Sequence, residues 1–590
     1  MVRRWVWRDE ADALPSRLQT AVLDCGLDFA PLVARLLWNR GVRDPDSAAD
    51  FLRPTLARGL RSPLLMKDMQ RAASRLADAI EAGETIAVYG DYDVDGVTGA
   101  AELVLFLREV GAAPLVHVAN RGREGYGLHA DVLRRLRTTG ARVVVTADCG
   151  TADSDELALA ADLGLDVIVC DHHHAPRTRP PAMALLNPLQ PGCEFPFKGL
   201  SGAGVVFYLL MGLRAELRAR GRTDLPDLRR YLDLVALGTV ADVVPLREEN
   251  RVLVAHGLRL LEHGERAGVQ ALKEIALVES ASVRAIGYRL APRLNATGRL
   301  ADAGLAVEVL TTDNLERARS LVASLELHNA ERRAIEDAML ADAVAAAERD
   351  GGRGRCTTVV AGDGWHPGVV GIVAARLAER LHRPALVIAL DGGMGRGSGR
   401  SVGDVDLHAG LGACAELLET FGGHRQAVGF TVRRDRIAEV AARFEASVRA
   451  GAAAGAFEAT VAVDAELPLA SASPALATAL ARLEPHGPGN PEPRFVARGV
   501  AVDGVRVVGE PGRPHLKLRL RDGARAVSAM GFGLGGLPLR TGDRVDVVFT
   551  PRLGRWQGLD RLEIEVIDLR RPGVPLSPQG AEIAQESTVS

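Results

Sequence analysis

Short apolar runs, each closed by an acidic or histidine-containing loop, set the pattern of the first half of the chain. The runs TIAVY, RVVVT and DVIVC are rich in β-branched residues and show no polar alternation. Continuous apolar stretches of that length suit strands buried on both faces of a parallel sheet. Between them lie longer segments with helical spacing, TGAAELVLFLREVG and DSDELALAADLG. This rhythm over residues 76–310 predicts a doubly wound α/β domain. A fourth run, DLVAL, precedes Gly238-Thr-Val-Ala-Asp242 and is read, less clearly, as a strand of the same kind.

The pattern changes on either side. Residues 1–75 carry short amphipathic pieces, LVARLLWNRGV and SAADFL, and predict a helical N-terminal segment. Residues 311–350 hold a long stretch with neither Gly nor Pro from Asp313 onward, with Asp313 as N-cap and Gly351 as stop. A single helix there would be about 50 Å long and would connect two lobes. Residues 351–450 repeat the strand–helix–strand pattern as a smaller α/β domain: CTTVVAGD, GVVGIVAARLAERL, PALVIAL. Residues 457–570 alternate polar and apolar positions in several short runs and predict an all-β barrel of the OB-fold kind. Residues 571–590 have no periodicity and read as a disordered tail.

Composition narrows the class. At 590 residues, 47% hydrophobic and 25% charged, the chain is an ordinary multidomain globular protein. No apolar run has the length of a membrane span, and the N-terminus lacks the apolar centre of a signal peptide, so the expected compartment is the cytoplasm. The six cysteines form no CxxC pair. A net charge of −3 excludes a globally basic nucleic-acid coat but not a local basic channel. Cations are almost all arginine, 68 against 4 lysines, which high genomic GC content explains without function.

The candidate chemistry sits in the loops that close the apolar runs: Tyr89-Gly-Asp91-Tyr-Asp93-Val-Asp95-Gly, Thr146-Ala-Asp148-Cys-Gly, Asp171-His172-His173 and Gly238-Thr-Val-Ala-Asp242. Side chains at the ends of successive parallel strands converge on one crevice. Carboxylates with one or two imidazoles are a donor set for Mn²⁺ or Mg²⁺. Taken singly, each Asp is equally well a helix N-cap and His172 a packed histidine. The acidic first loop is unlike the glycine-rich turn of a dinucleotide site.

Together these loops resemble the DHH phosphoesterase superfamily. Arg293-Leu-Asn295-Ala-Thr-Gly-Arg299, Gly364-Trp-His366-Pro-Gly-Val-Val-Gly, Gly422-Gly423-His424 and Pro485-His-Gly-Pro-Gly-Asn490-Pro extend the likeness to a second, DHHA1-type domain and beyond. Within the superfamily the order of motifs is similar to that of the bacterial single-strand-specific 5′→3′ exonucleases. The resemblance implies two divalent cations, Mn²⁺ or Mg²⁺, held by Asp93, Asp95, Asp148, His172 and Asp242, with Asp148 bridging and Asp91 as a further ligand. His173 joins these residues as a catalytic, phosphate-contacting group, and Asp171 orients its neighbours. Pyrophosphatase relatives carry a His where this chain has Tyr89, which leaves the first metal's ligand set open.

A 5′ exonuclease must also hold a strand end. Candidate DNA contacts are Arg121, Asn295 and Arg299 in the first domain, and His366, Ser398, Arg400, Gly423 and His424 in the second. Lys517 and Arg519 are candidates on the barrel, with Phe495 and Trp556 for base stacking. The expected function is single-stranded-DNA degradation to 5′-mononucleotides in recombination and repair. The expected protein is a monomer, bacterial and nucleoid-associated, with a RecQ-type helicase and a single-strand-binding protein as partners. The alternatives are an oligoribonuclease or cyclic-dinucleotide phosphodiesterase of the same superfamily, and a catalytically inactive single-strand-binding scaffold.

Overall fold

The computed structural model describes residues 3–9, 14–121, 124–300, 302–349, 354–403, 405–452, 455–510, 514–556, 559–574 and 576, except for the side chains of residues 555, 556, 559 and 560. Gly351, the Trp556 side chain and residues 577–590 therefore lie outside the described part. The chain forms two compact units, residues 54–335 with 485–491, and residues 1–53 with 336–484 and 492–590.

The first unit is built on a five-stranded sheet in the order Leu115–Val118, Thr85–Gly90, Ala141–Ala147, Asp166–Cys170, Ala184–Leu186, with every neighbouring pair parallel. The pleat sends alternate side chains to opposite layers. Ile86 and Val88 join a core with the helices Val94–Glu109 and Gly202–Ala219. Ala87 and Tyr89 join another with Ala130–Thr138 and Ser154–Asp162. Both faces are covered, which is why these strands carry no polar alternation. The strand order reverses between Thr85–Gly90 and Ala141–Ala147, so a crevice opens at the ends of those two strands.

One expected strand is a helix. The run containing DLVAL forms Leu232–Ala241, in which every residue from Leu232 to Val240 is buried. A helix enclosed on all sides shows no apolar stripe, so its sequence looks like that of a buried strand. Its one acidic interior residue, Asp233, is paired with Arg266 at 2.7 Å.

The long helix runs over Leu315–Arg349, beginning in the first unit and ending in the second. Its cap is Asn314 rather than Asp313: the Asn314 Oδ1 accepts from the Arg317 N–H at 2.9 Å.

In the second unit, residues 357–450 form a mixed five-stranded sheet, in which Thr358–Asp363 and Ala385–Asp391 are parallel and the other pairs antiparallel. Residues 465–570 form the barrel: six strands in one sheet, closed by pairing of Phe495–Val508 with Arg544–Trp556. The N-terminal segment starts with a strand rather than a helix, Arg4–Trp7, which pairs in parallel with Thr460–Val463. Helices Ser16–Asp24 and Ala30–Trp38 follow and share one hydrophobic core with the barrel, through Leu18, Val33, Leu37, Leu518 and Phe549. At this junction the buried Asp464 accepts from Arg8 Nε (3.2 Å), Asn39 Nδ2 (3.1 Å), Arg40 (3.4 Å) and the Arg494 N–H (3.0 Å). Among the described residues no helix is long and apolar enough to cross a membrane.

Candidate metal centre

Three acidic residues stand one place beyond three adjacent strands, each tied to the next strand by its backbone. The Asp91 N–H donates to the Ala147 carbonyl at 3.0 Å, the Asp148 N–H to Cys170 at 2.9 Å, and the Asp171 N–H to Leu186 at 3.0 Å. The sheet thus fixes the row before any side chain acts. Asp148 has φ 67°, a left-handed conformation that an Asp side chain tolerates better than most.

The other carboxylates come from helix ends. Asp93 is the N-cap of Val94–Glu109, and its Oδ1 accepts from the N–H groups of Asp95 (2.9 Å) and Gly96 (3.2 Å). Capping and a place in the site therefore coexist in one residue. Asp95 meets the start of Gly202–Ala219, where its oxygens accept from the N–H groups of Gly202 (2.5 Å) and Ala203 (2.9 Å). Asp148 presses on the same residue from another side: a Cβ on Gly202 would lie 2.6 Å from the Asp148 Cβ. Asp242 ends the buried helix Leu232–Ala241.

These elements bring seven predicted residues together. Ligand atoms of Asp91, Asp93 and Asp148 lie within 4.8 Å of one another, as do those of Asp95, His172 and Asp242, and those of Asp148, His172 and His173. His172 Nε2 is 3.1 Å from Asp148 Oδ1, 3.4 Å from Asp242 Oδ2 and 3.8 Å from Asp95 Oδ2. The Asp91–Asp93–Asp148 and Asp95–His172–Asp242 sets thus abut, and the third set joins them through Asp148 and His172.

Burial and mutual repulsion leave this cluster short of positive charge. Desolvation, then the neighbouring carboxylates, raises Asp91 and Asp148 well above the usual carboxyl range. The same causes push Asp95 up to about 7 and Asp242 up to about 9. Among the described residues, no hydrogen-bond donor serves the buried Asp91 Oδ1. Oxygen-rich, desolvated and mutually repelling, the donor set fits hard divalent cations.

Asp171 behaves differently. Burial alone would raise it, but His173, His172 and Thr151 hold it well below the usual range. It accepts from the N–H groups of Thr151 (2.9 Å), His172 (2.7 Å) and His173 (3.1 Å), and its Oδ1 lies 2.8 Å from His173 Nδ1. Burial opposes protonation of His173, yet that contact and the surrounding carboxylates raise its pKa. Asp171 therefore orients the histidine loop and favours a cationic His173. Tyr126 completes the wall, donating to the Asp148 carbonyl at 3.3 Å, with its hydroxyl 2.9 Å from His173 Nδ1. Sequence reasoning passed over Tyr126, although it lies two residues past Glu124 in the loop that supplied Arg121. Tyr89 points to the other layer, donating to Gly127 O at 3.1 Å and meeting His117 edge-on.

The remaining predicted contacts fall in separate places. Arg121 stands over the Tyr92 ring at 5.2 Å; burial and then Asp91 raise the Tyr92 pKa, and Arg121 and Arg299 only partly oppose that rise. Asn295 Oδ1 accepts from the Val94 N–H at 3.1 Å. In the second unit, Ser398 and Arg400 lie on Met394–Arg400, beside the first turn of Val370–Leu381, where a Cβ on Gly371 would be 3.2 Å from Ser398 Oγ and 3.3 Å from the Arg400 guanidinium. Gly423 ends an edge strand of the same sheet, and the His424 N–H donates to Ala427 O at 2.7 Å. His366 Nδ1 accepts from the Gly368 N–H just ahead of that helix. Lys517 and Arg519 are exposed on the outer face of His515–Asp522, as alternation predicts. Phe495 is not available for stacking: it is fully buried and packs on Phe549 with ring centroids 6.1 Å apart. Among the described side chains, an exposed aromatic of the barrel is Phe532, edge-on to His515.

Three family models match the chain in order: "DHH family, N-terminal domain" over residues 85–239, "DHHA1 domain" over 354–450 and "RecJ OB domain" over 463–568. The single-stranded-DNA-specific exonuclease RecJ of Dickeya dadantii is 37% identical over 89% of this chain and 91% of its own length. The chain belongs to the RecJ family. Among solved structures it is similar to RecJ from Thermus thermophilus in complex with Mn²⁺, at TM-score 0.82 and 31% identity, covering 98% of this chain and 81% of that one. The Mg²⁺ complex from the same organism is similar at TM-score 0.75 and 30% identity, covering 97% and 79%. The α/β domain, the smaller α/β domain and the barrel described above are this RecJ architecture.

Proposed function

We propose that this protein is a metal-dependent 5′→3′ exonuclease that degrades single-stranded DNA to 5′-mononucleotides in recombination and repair. The observation that carries the reading is the convergence of Asp91, Asp93, Asp95, Asp148, His172 and Asp242 at the sheet's switch point in a chain of the RecJ family. Two divalent cations, Mn²⁺ or Mg²⁺, fit its two abutting ligand sets. Such ions supply activation of water and neutralisation of phosphate charge. The chain's own part is to hold the donors rigid through the sheet and two helix ends. His173, whose protonation the contact with Asp171 favours, would offer a hydrogen bond to a phosphate oxygen.

Arg121 and Arg299 are the candidate strand contacts around the metal loop, while Asn295, expected to join them, is bonded instead to the Val94 N–H. Ser398 and Arg400 beside a helix N-terminus suit a terminal 5′-phosphate, and His366, Gly423 and His424 belong to motifs of the same domain. Lys517 and Arg519 would track the backbone on the barrel, with Phe532 taking the stacking role first given to Phe495. A cyclic-dinucleotide phosphodiesterase or an oligoribonuclease has no evident use for this barrel, and an inactive scaffold has none for six convergent ligands. A bacterial cytoplasm, association with the nucleoid, and a helicase and single-strand-binding protein as partners belong to the same reading.

The test uses a 3′-labelled, 5′-phosphorylated oligonucleotide, single-stranded or duplex, with Mn²⁺ or EDTA. A ladder shortening from the 5′ end, on the single strand and only with metal, is expected; cleavage confined to dinucleotides would replace the reading with the phosphodiesterase one. The barrel has its own expected result. The double substitution Lys517→Ala, Arg519→Ala weakens single-strand binding and lowers the slope of log K against log salt by about 0.7 per lost phosphate contact. A slope equal to wild type would remove both residues from the DNA path.

A further inference from the structure

The segment Arg293–Arg299 sits on the helix Ala291–Leu300, and two independent contacts join it to the metal loop. The first is the Asn295 Oδ1, which accepts from the Val94 N–H at 3.1 Å, across 201 residues of sequence. Val94 lies between Asp93 and Asp95 and opens the helix Val94–Glu109, so its N–H has no partner within that helix. Asp93 Oδ1 already serves the next two N–H groups. Asn295 therefore completes the cap of the helix that carries two metal-site carboxylates. The second contact is steric. Gly298 lies so close to the loop that a Cβ there would stand 2.4 Å from the Tyr92 carbonyl oxygen. The helix is itself anchored: Arg293, buried, pairs through Nε with Glu326 at 2.5 Å and donates to the Arg289 carbonyl at 2.6 Å.

We infer that Asn295 and Gly298 are positioning residues for the Asp91–Asp95 loop, acting on metal affinity through Val94 and Tyr92 rather than by contacting the DNA strand. The inference rests on the metal-centre reading above. Outer groups that orient metal ligands change affinity by about tenfold to a hundredfold when removed. A DNA contact would instead change strand affinity and leave metal affinity alone.

Three variants separate the two roles: Asn295→Ala, which removes the acceptor; Asn295→Asp, which keeps an acceptor and adds a negative charge; and Gly298→Ala, which forces the loop away. Mn²⁺ affinity is measured by calorimetry on the full chain without DNA. Single-strand affinity is measured in EDTA, and thermal melting reports folding. Asn295→Ala is expected to weaken Mn²⁺ binding by about tenfold or more, to recover turnover at saturating Mn²⁺, and to keep wild-type strand affinity. Gly298→Ala is expected to follow it. Asn295→Asp is expected to keep or improve Mn²⁺ affinity. Unchanged Mn²⁺ affinity in Asn295→Ala with weaker strand binding, weaker still in Asn295→Asp, would overturn the inference. Failure of the wild-type protein to bind Mn²⁺ would instead overturn the metal-centre reading.

Discussion

Asn in place of Asp148 is expected to lower exonuclease turnover by about a thousandfold, or roughly 4 kcal/mol of transition-state stabilisation, and to remove most of the Mn²⁺ affinity. Asp148 sits where the two ligand sets meet: it shares one set with Asp91 and Asp93 and contacts His172 of the other. Loss of its charge therefore weakens both. Asn is the informative replacement because the residue has φ 67°, which Asn adopts more easily than Ala does. Backbone strain then does not confuse the result.

The same variant carries an opposite effect on the metal-free fold. Buried carboxyls raised above their usual range keep protons that the unfolded chain has released. In that window the unfolded state binds fewer protons, so stability falls as pH rises. The window opens at about 4, the ordinary aspartate value. It extends through the raised values, about 7 for Asp95 and about 9 for Asp242. In EDTA the wild-type melting temperature should therefore decline from pH 5 towards pH 9. Asp148→Asn should decline less and melt higher at pH 8. Saturating Mn²⁺ reverses the order, since a ligand at a hundred times its Kd adds about 2.7 kcal/mol to the protein that binds it. Equal Mn²⁺ stabilisation of both proteins would show that Asp148 is not a ligand.

How much of this was legible depends on where the partners of each residue lie. The strands Thr85–Gly90, Ala141–Ala147 and Asp166–Cys170 could be read because strands buried on both faces leave a continuous apolar run, and their acidic loops follow at once. Leu232–Ala241 failed because full burial erases helical periodicity, yet Asp242 still arrives at the site, from a helix end instead of a strand end. Asp93 shows that the bland and the functional reading need not compete: it caps a helix and faces the centre. Phe495 misled because an aromatic at the start of an alternating strand gives no sign of which face is inward; the core it shares with Phe549, its partner on the neighbouring strand, decides that. Asn295 was visible as a motif residue, but its bond to Val94 spans 201 positions and leaves no local trace.

Asp464→Ala is expected to be the most destabilising single change outside the metal centre, at about 3–5 kcal/mol. The residue was invisible as a site of interest, since its side-chain partners Arg8, Asn39 and Arg40 lie more than 420 positions away. Its carboxylate is buried, and so is Arg40, whose side chain is 1% exposed. Removing the acid leaves that guanidinium in the interior without its carboxylate. It also frees the Arg494 N–H and removes the polar contacts of the N-terminal helices with Asp464, leaving the shared apolar core. The contrast is Arg8, whose side chain is 18% exposed and can turn to water, so Arg8→Ala should cost about 1 kcal/mol or less. Urea midpoints for the two variants measure the difference. Mn²⁺ affinity should stay at the wild-type value in both, because Asp464 and the metal centre belong to different compact units. Equal, small shifts for both variants would mean that water reaches Arg40, and the junction would then be held by the shared apolar core of Leu18, Leu37, Leu518 and Phe549 alone.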